Sequence, residues 1–238
     1  MNIRLKVTGR RPDGYHELVS IMVPIDLCDL LEIDVIHQGI ELTCEGYQVP
    51  ADESNLVHRA IKLFLSQISF QKGISVKLQK NIPVAAGLGG GSSDAASTLL
   101  SLNEICSKPL SLQELHDLAI QLGADVPFFL QCKPSLVRGI GEILEPLERW
   151  PKLYYVIITP PLQVSTAWVY RNLKLELTRG EYDYILKSLE NSLVTFHNML
   201  ENDLEAVTVS HFPVISTIKQ SIVATGADSF LPIVELSA

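Results

Sequence analysis

One stretch limits what this chain can become. Pro83-Val84-Ala85-Ala86-Gly87-Leu88-Gly89-Gly90-Gly91-Ser92-Ser93-Asp94 is dense in glycine and serine and runs straight into Ala95-Ala96-Ser97-Thr98-Leu99-Leu100. Before it, Ile74, Val76 and Leu78 alternate with Ser75, Lys77 and Gln79, the period of a half-buried strand; after it, Ala95, Ala96, Leu99 and Leu100 recur at helical spacing. The run therefore joins a strand to a helix. Residues without side chains let consecutive backbone N–H groups approach an anion, and the helix behind adds unpaired N–H groups and partial positive charge. That chemistry is a phosphate cradle; a flexible glycine loop or tight helix–strand packing is the structural alternative. Two common spellings fail: no Lys follows the glycines, and after Gly87 and Gly89 the third glycine position of Gly-x-Gly-x-x-Gly holds Ser92.

Around this run the chain reads as α+β. Ile3, Leu5 and Val7 alternate with Arg4, Lys6 and Thr8, and Pro12-Asp13-Gly14 is a turn signal. Strands are expected at 18–25, 31–36 and 40–44, giving an antiparallel meander in the first quarter, and helix from Ser54 or Asn55 with Leu56, Val57, Ala60, Ile61 and Phe64 inward. Ser111-Leu112-Gln113-Glu114 spells a capping box for a helix that buries Leu112, Leu115, Leu118 and Leu122 and stops at Gly123. Further strands are expected near 135–137 and at 153–159, and helices at 166–172, 181–192, 202–207 and 213–220. A polar, proline-containing stretch over 145–152 places a domain boundary near Pro151, dividing the chain into 1–150 and 151–238.

The chain has 238 residues, of which 47% are apolar, enough for a packed core in one large or two modest domains. A formal charge of −8 argues against a broad nucleic-acid-binding surface but not against a site for one nucleotide. No run of apolar residues is long enough to span a membrane, and the N-terminus begins with strand-like alternation rather than a leader, so a cytoplasmic protein is expected; a plastid origin stays open. Cys28, Cys44, Cys106 and Cys132 form no Cys-x-x-Cys pair and are expected as buried, reduced thiols. Composition leaves the oligomeric state undetermined.

Two places outside the glycine run can carry chemistry. Asp125 follows the helix-stopping Gly123 and precedes Pro127, which makes it a candidate base for a substrate hydroxyl, or else a capping residue. Tyr15 and His16 follow the Pro-Asp-Gly turn, where a ring can stack on a base and an imidazole can hydrogen-bond it; packing is the alternative for the Tyr. No zinc-protease His pair and no Gly-x-Ser-x-Gly elbow occur.

Three passages together resemble one family, the GHMP small-molecule kinases. Pro83 to Ser93 resembles their ATP-binding signature, and Leu122-Gly123-Ala124-Asp125-Val126-Pro127 is similar to their catalytic-aspartate segment. Thr8-Gly9-Arg10-Arg11-Pro12-Asp13-Gly14-Tyr15-His16 resembles the substrate segment of the branch that acts on a cytidine diphosphate alcohol, as do Val137 to Glu142, Val164 to Ala167 and Asn202 to Glu205 elsewhere in it. The resemblance implies ATP-dependent phosphorylation of the 2-hydroxyl of a diphosphocytidyl methylerythritol, a step of non-mevalonate isoprenoid synthesis. It implies a two-domain GHMP kinase fold, with a ribosomal-protein-like N-terminal domain over 1–150 and a truncated ferredoxin-like C-terminal domain over 151–238. It further implies that Pro83, Val84, Ala85, Ala86, Gly87, Leu88, Gly89, Gly90, Gly91, Ser92 and Ser93 hold ATP and that Asp125 takes the hydroxyl proton. Asn2, Tyr15, His16, Asp125 and Thr166 would contact substrate, with Tyr15 and His16 on cytosine. Mg²⁺ is expected with the ATP, its ligands unspelled.

Two departures from the family pattern shape the expectation. The family's opening strand reads Ala-Lys-x-Asn; Asn2 matches that Asn, so the Lys would precede residue 1, and Lys6 is displaced from the family position by about 20 Å of strand. The family's third, Gly-Ser-Gly motif is approached by Thr225 to Leu231, but Pro232 to Ala238 contain no glycine. Weakened phosphoryl transfer, by roughly 10² to 10³ for each lost donor, is therefore expected beside intact nucleotide binding. The alternatives are a catalytically silent nucleotide-binding homologue and another GHMP kinase.

Overall fold

A computed structural model describes residues 1–160, 162, 164–173 and 200–225. The expected helix over 181–192 and everything past Thr225 lie outside them. The described residues fall into two compact units, each discontinuous in sequence: one holds Met1–Pro24, Ala85–Gly87 and the residues from Lys133 onward, the other Ile25–Val84 and Leu88–Cys132. The boundary expected near Pro151 divides the chain along its sequence, whereas these units are set by packing.

The second unit is built on the strand that enters the glycine run. Strand β3 (Leu30–Ile36), β4 (Ile40–Gly46) and β5 (Gly73–Lys80) form a sheet in the order β3-β5-β4. β5 pairs antiparallel with β3 and parallel with β4. A parallel pair needs a long crossover, and helix α1 (Leu56–Leu65) supplies it. The Asn55 side chain accepts the Val57 N–H at 2.9 Å and caps α1, an arrangement typically worth about 1 kcal/mol. Val57, Ala60, Ile61 and Phe64 pack on the inward residues of β5, Ile74, Val76 and Leu78, together with Ala95, Ala96, Leu99 and Leu102 of α2 (Gly90–Ile105). Helix α3 (Leu112–Leu122) opens with the expected capping box: the Ser111 hydroxyl accepts the Glu114 N–H, and the Glu114 carboxylate accepts the Ser111 N–H at 2.7 Å. Leu115, Leu118 and Leu122 are buried, whereas Leu112, in the first turn, is exposed. Gly123 ends α3 in an extended conformation rather than a left-handed one. Helix α4 (Val126–Gln131) follows at once and packs on α2.

The first unit carries the other sheet. Strands β1 (Asn2–Arg10), β2 (His16–Met22), β6 (Ser135–Gly139), β7 (Ile143–Pro146) and β8 (Glu201–Asn202) lie in the order β7-β6-β2-β1-β8. All pairs are antiparallel except β1 with β8. Among the described residues this unit also holds helices α5 (Thr166–Asn172), α6 (Glu205–His211) and α7 (Pro213–Ala224), with Val169 of α5 and Leu204 packed on Leu5, Val7 and Leu18. Lys6 is held by Glu201 and Asp203, and Asp203 also accepts the Val7 N–H at 2.8 Å, so Lys6 ties β8 and its following residue to β1.

Three further expectations change. The first quarter is not one meander: β1 and β2 form a hairpin in one sheet, while β3 and β4 flank β5 in the other. Alternation marks a strand but does not choose its neighbour. Residues 153–159 are in neither sheet, and Tyr154, Val156 and Ile158 are exposed, because an apolar run becomes a strand only where a ladder partner meets it. All four cysteines are free thiols, but Cys28 and Cys132 are exposed rather than buried.

Candidate active site

The expected strand–loop–helix is present. β5 ends at Lys80 and α2 begins at Gly90, with the run from Pro83 to Gly89 between them. Gly87 and Gly89 adopt left-handed backbone conformations, φ +71° and +66°, and Gly89 is the N-cap of α2. Ala85 is also left-handed, φ +55°, where an L-residue carries about 1–2 kcal/mol of strain. At Gly90 the limit is space: a Cβ there would lie 2.8 Å from Lys80 Nζ and 3.0 Å from Ile82 Cγ2. The loop turns on glycines and delivers the chain to a helix N-terminus that no side chain caps, leaving its N–H groups for an anion.

Beneath the loop lies a charged cluster that the sequence did not reveal. Lys80, Asp29 and Asp94 side chains are 4%, 2% and 5% exposed. Lys80 Nζ donates to Asp94 Oδ2 at 2.8 Å and to Asp29 Oδ2, and Asp29 Oδ1 accepts the N–H groups of Asn81 at 2.6 Å and Ile82 at 2.8 Å. Burial pushes the Asp94 carboxyl up, against the pull of the Lys80 ammonium that it accepts from. Alternation puts Lys80 on the inward face with Ile74, Val76 and Leu78, but Asp29 is far from it in sequence, so no local signal shows which carboxylates meet it.

Asp125 occupies the N-cap position of α4, but its side chain makes no capping bond. It is buried, and desolvation raises its carboxyl to about 6. The side chain therefore caps nothing, and a buried carboxyl raised by desolvation is a candidate general base. Helix α2 and Asp125 belong to the same compact unit, in which α4 lies on α2.

The other predicted residues lie in the first unit. The turn before Tyr15 is closed by Arg11 N–H to Tyr15 O at 2.8 Å, and Asp13 Oδ1 accepts the Tyr15 N–H at 3.1 Å. Tyr15 is exposed; His16 is half-buried and stacks on Tyr170, ring centroids 4.8 Å apart and planes 18° off parallel. Burial, and then the Arg10 guanidinium, hold the His16 imidazole below its usual value. Tyr170 was missed in the sequence; only its place one turn beyond Thr166 in the Ser165-capped helix hinted at it. Thr166 opens α5, and its side chain lies outside the described residues. Asn2 is buried, its Oδ1 accepting from Ser20 Oγ at 2.5 Å. Asn2 pairs with Met22 and Arg10 with His16, so Asn2 and the Tyr15–His16 pair occupy opposite ends of the β1–β2 ladder. Among the described residues no group of three or more His, Cys, Asp or Glu gathers as a metal site, and no helix is long and apolar enough to cross a membrane.

A glycine loop that opens into an uncapped helix N-terminus can take a phosphate, and the comparisons give the class as small-molecule kinases. Residues 55–133 match the GHMP kinases N terminal domain. The chain is 45% identical over 230 residues to the 4-diphosphocytidyl-2-C-methyl-D-erythritol kinase of Geobacter metallireducens, covering 95% of this chain and 80% of that one. It is also 45% identical over 228 residues to the enzyme of the same name from Geotalea daltonii, covering 95% and 81%. A crystal structure of 4-(cytidine 5'-diphospho)-2C-methyl-D-erythritol kinase superposes with a TM-score of 0.77 at 35% identity, covering 94% of this chain and 80% of that chain. The mevalonate kinase of Methanococcus jannaschii, 14% identical with a TM-score of 0.53 over 84% of this chain and 75% of that one, shares the fold. The chain belongs to the 4-diphosphocytidyl-2-C-methyl-D-erythritol kinase family, within the GHMP kinases.

Proposed function

We propose that this protein transfers the γ-phosphoryl group of ATP to the 2-hydroxyl of 4-diphosphocytidyl-2-C-methyl-D-erythritol, a cytoplasmic step of isoprenoid synthesis. The observation that carries the reading is the loop from Pro83 to Ser93, which turns on left-handed Gly87 and Gly89 into the uncapped start of α2. Its backbone N–H groups receive the ATP phosphates and stabilise the charge spread over the transferring group. Asp125 accepts the hydroxyl proton; a carboxyl raised to about 6 is ionised at neutral pH yet basic enough to draw the proton as the oxygen attacks. Tyr15 and His16 hold cytosine, His16 as a neutral imidazole backed by Tyr170, with Asn2 and Thr166 as further substrate contacts. Residues 1–150 form the ATP-binding domain and 151–238 the C-terminal domain.

The described carboxylates make no metal cage: Asp29 and Asp94 are occupied by Lys80. Mg²⁺ would enter with ATP and offset the charge of the transferring phosphoryl group.

A coupled ADP-release assay tests the assignment. ADP release that requires diphosphocytidyl methylerythritol and is not supported by mevalonate or homoserine is expected. Equal release with those alcohols would assign the chain to another GHMP activity.

A further inference from the structure

We infer that Lys80, with Asp29 and Asp94, is a positioning clamp for the glycine loop, locking its two ends together and so aiming the backbone N–H groups at the start of α2. This rests on the kinase reading above and concerns residues which that reading does not use.

Lys80 is the last residue of the strand that enters the loop, and Asp94 lies one turn inside the helix that leaves it. One ammonium bonds both Asp94 and Asp29. Asp29 in turn uses its second oxygen to hold the N–H groups of Asn81 and Ile82, the first two residues past the strand. Entry and exit are thus fixed to one buried cation. The loop backbone rests directly on it, because a Cβ at Gly90 would stand 2.8 Å from Nζ. Position matters more than adhesion here. Three desolvated charges hold elements together no better than well-packed apolar side chains of equal volume, and what they add is direction, since each bond fixes a distance and an angle. A shift of the Lys80 head would move Gly90 and the N–H groups beside it, the donors assigned to phosphate. Lys80 acts through this backbone, its charge being taken up by the two carboxylates.

Calorimetric titration of the full chain with MgATP and, separately, with CDP tests the clamp. Asp94→Asn keeps the size of the side chain, an acceptor for Lys80 and the Lys80–Asp29 pair, so it is expected to fold with a melting midpoint near that of the parent. Its Kd for MgATP is expected to rise about tenfold, the loss of one charge-assisted contact's worth of alignment, while its Kd for CDP stays within twofold. Lys80→Met is expected to lose more MgATP affinity, and should it fail to fold, Asp94→Asn alone decides. Folded Asp94→Asn with parental MgATP affinity would overturn the clamp, as would equal losses for both ligands, the mark of a merely structural role. A parent chain that binds CDP but not MgATP would overturn the kinase reading and the clamp together, a pattern distinct from either of those.

Discussion

Lys80 Nζ donates to Asp94 Oδ2 at 2.8 Å, so the residue that ends β5 is bonded across the glycine loop to a residue one turn inside α2. The strand that enters the loop and the helix that leaves it are thereby tied, and substitutions at the glycines should separate according to how closely each approaches that bond.

Gly90→Ala would press a methyl group against a pinned ammonium and against Ile82, at a cost of about 1–3 kcal/mol. Gly91→Ala meets nothing nearer than Leu56 Cδ1 at 3.5 Å and gains helix propensity, so it is expected to stabilise by about 0.4–1 kcal/mol. Urea denaturation of both variants checks the order; equal effects would contradict the packing at Gly90.

Asp125→Asn removes the proton acceptor, and ADP release is expected to fall by about 10²- to 10⁴-fold. The parent's activity is expected to rise with pH through about 6 as the carboxyl ionises. Stability moves the opposite way. A folded value raised above the ordinary 3.8 favours folding below 3.8, and that advantage is lost as pH rises through about 6, a change of roughly 3 kcal/mol. Asp125→Asn is therefore expected to melt no lower than the parent at pH 7 and to lack this part of the pH dependence, measured by thermal melts at pH 4 and pH 7.

His16 and Tyr170 form a stacked pair of the sort worth about 0.5–1.5 kcal/mol. Tyr170→Ala is expected to raise the Kd for CDP roughly 2- to 12-fold on that basis and to leave MgATP binding unchanged. Because burial and Arg10 depress the His16 imidazole, CDP affinity is expected to stay level as pH falls to the ordinary histidine value of 6.5 and to decline only below it. Calorimetry with CDP across that range reads both effects.

Much of this was legible in the sequence wherever the determinant is local. The change from alternation at Ile74–Leu78 to helical spacing at Ala95–Leu100 located the loop, and Asn55 and Ser111-x-x-Glu114 placed two helix starts because capping is chemistry between near neighbours. Asp125 was visible only as a constrained carboxylate; that it leaves the cap unmade and lies buried is a product of packing. The β3-β5-β4 order was not legible, since β5 owes both its neighbours to a crossover that alternation does not encode. For the same reason 153–159 read as a strand, although it lies outside both sheets. Asp29 and Tyr170 stayed hidden because each meets its partner, Lys80 or His16, only through the fold.

The most direct measurement of the central claim is phosphorus NMR of the chain incubated with MgATP and 4-diphosphocytidyl-2-C-methyl-D-erythritol. A new phosphomonoester resonance on the methylerythritol moiety, growing one for one with ADP and absent with Asp125→Asn, is the expected result. Inorganic phosphate in place of the monoester, or an unaltered substrate beside saturably bound ATP, would contradict it.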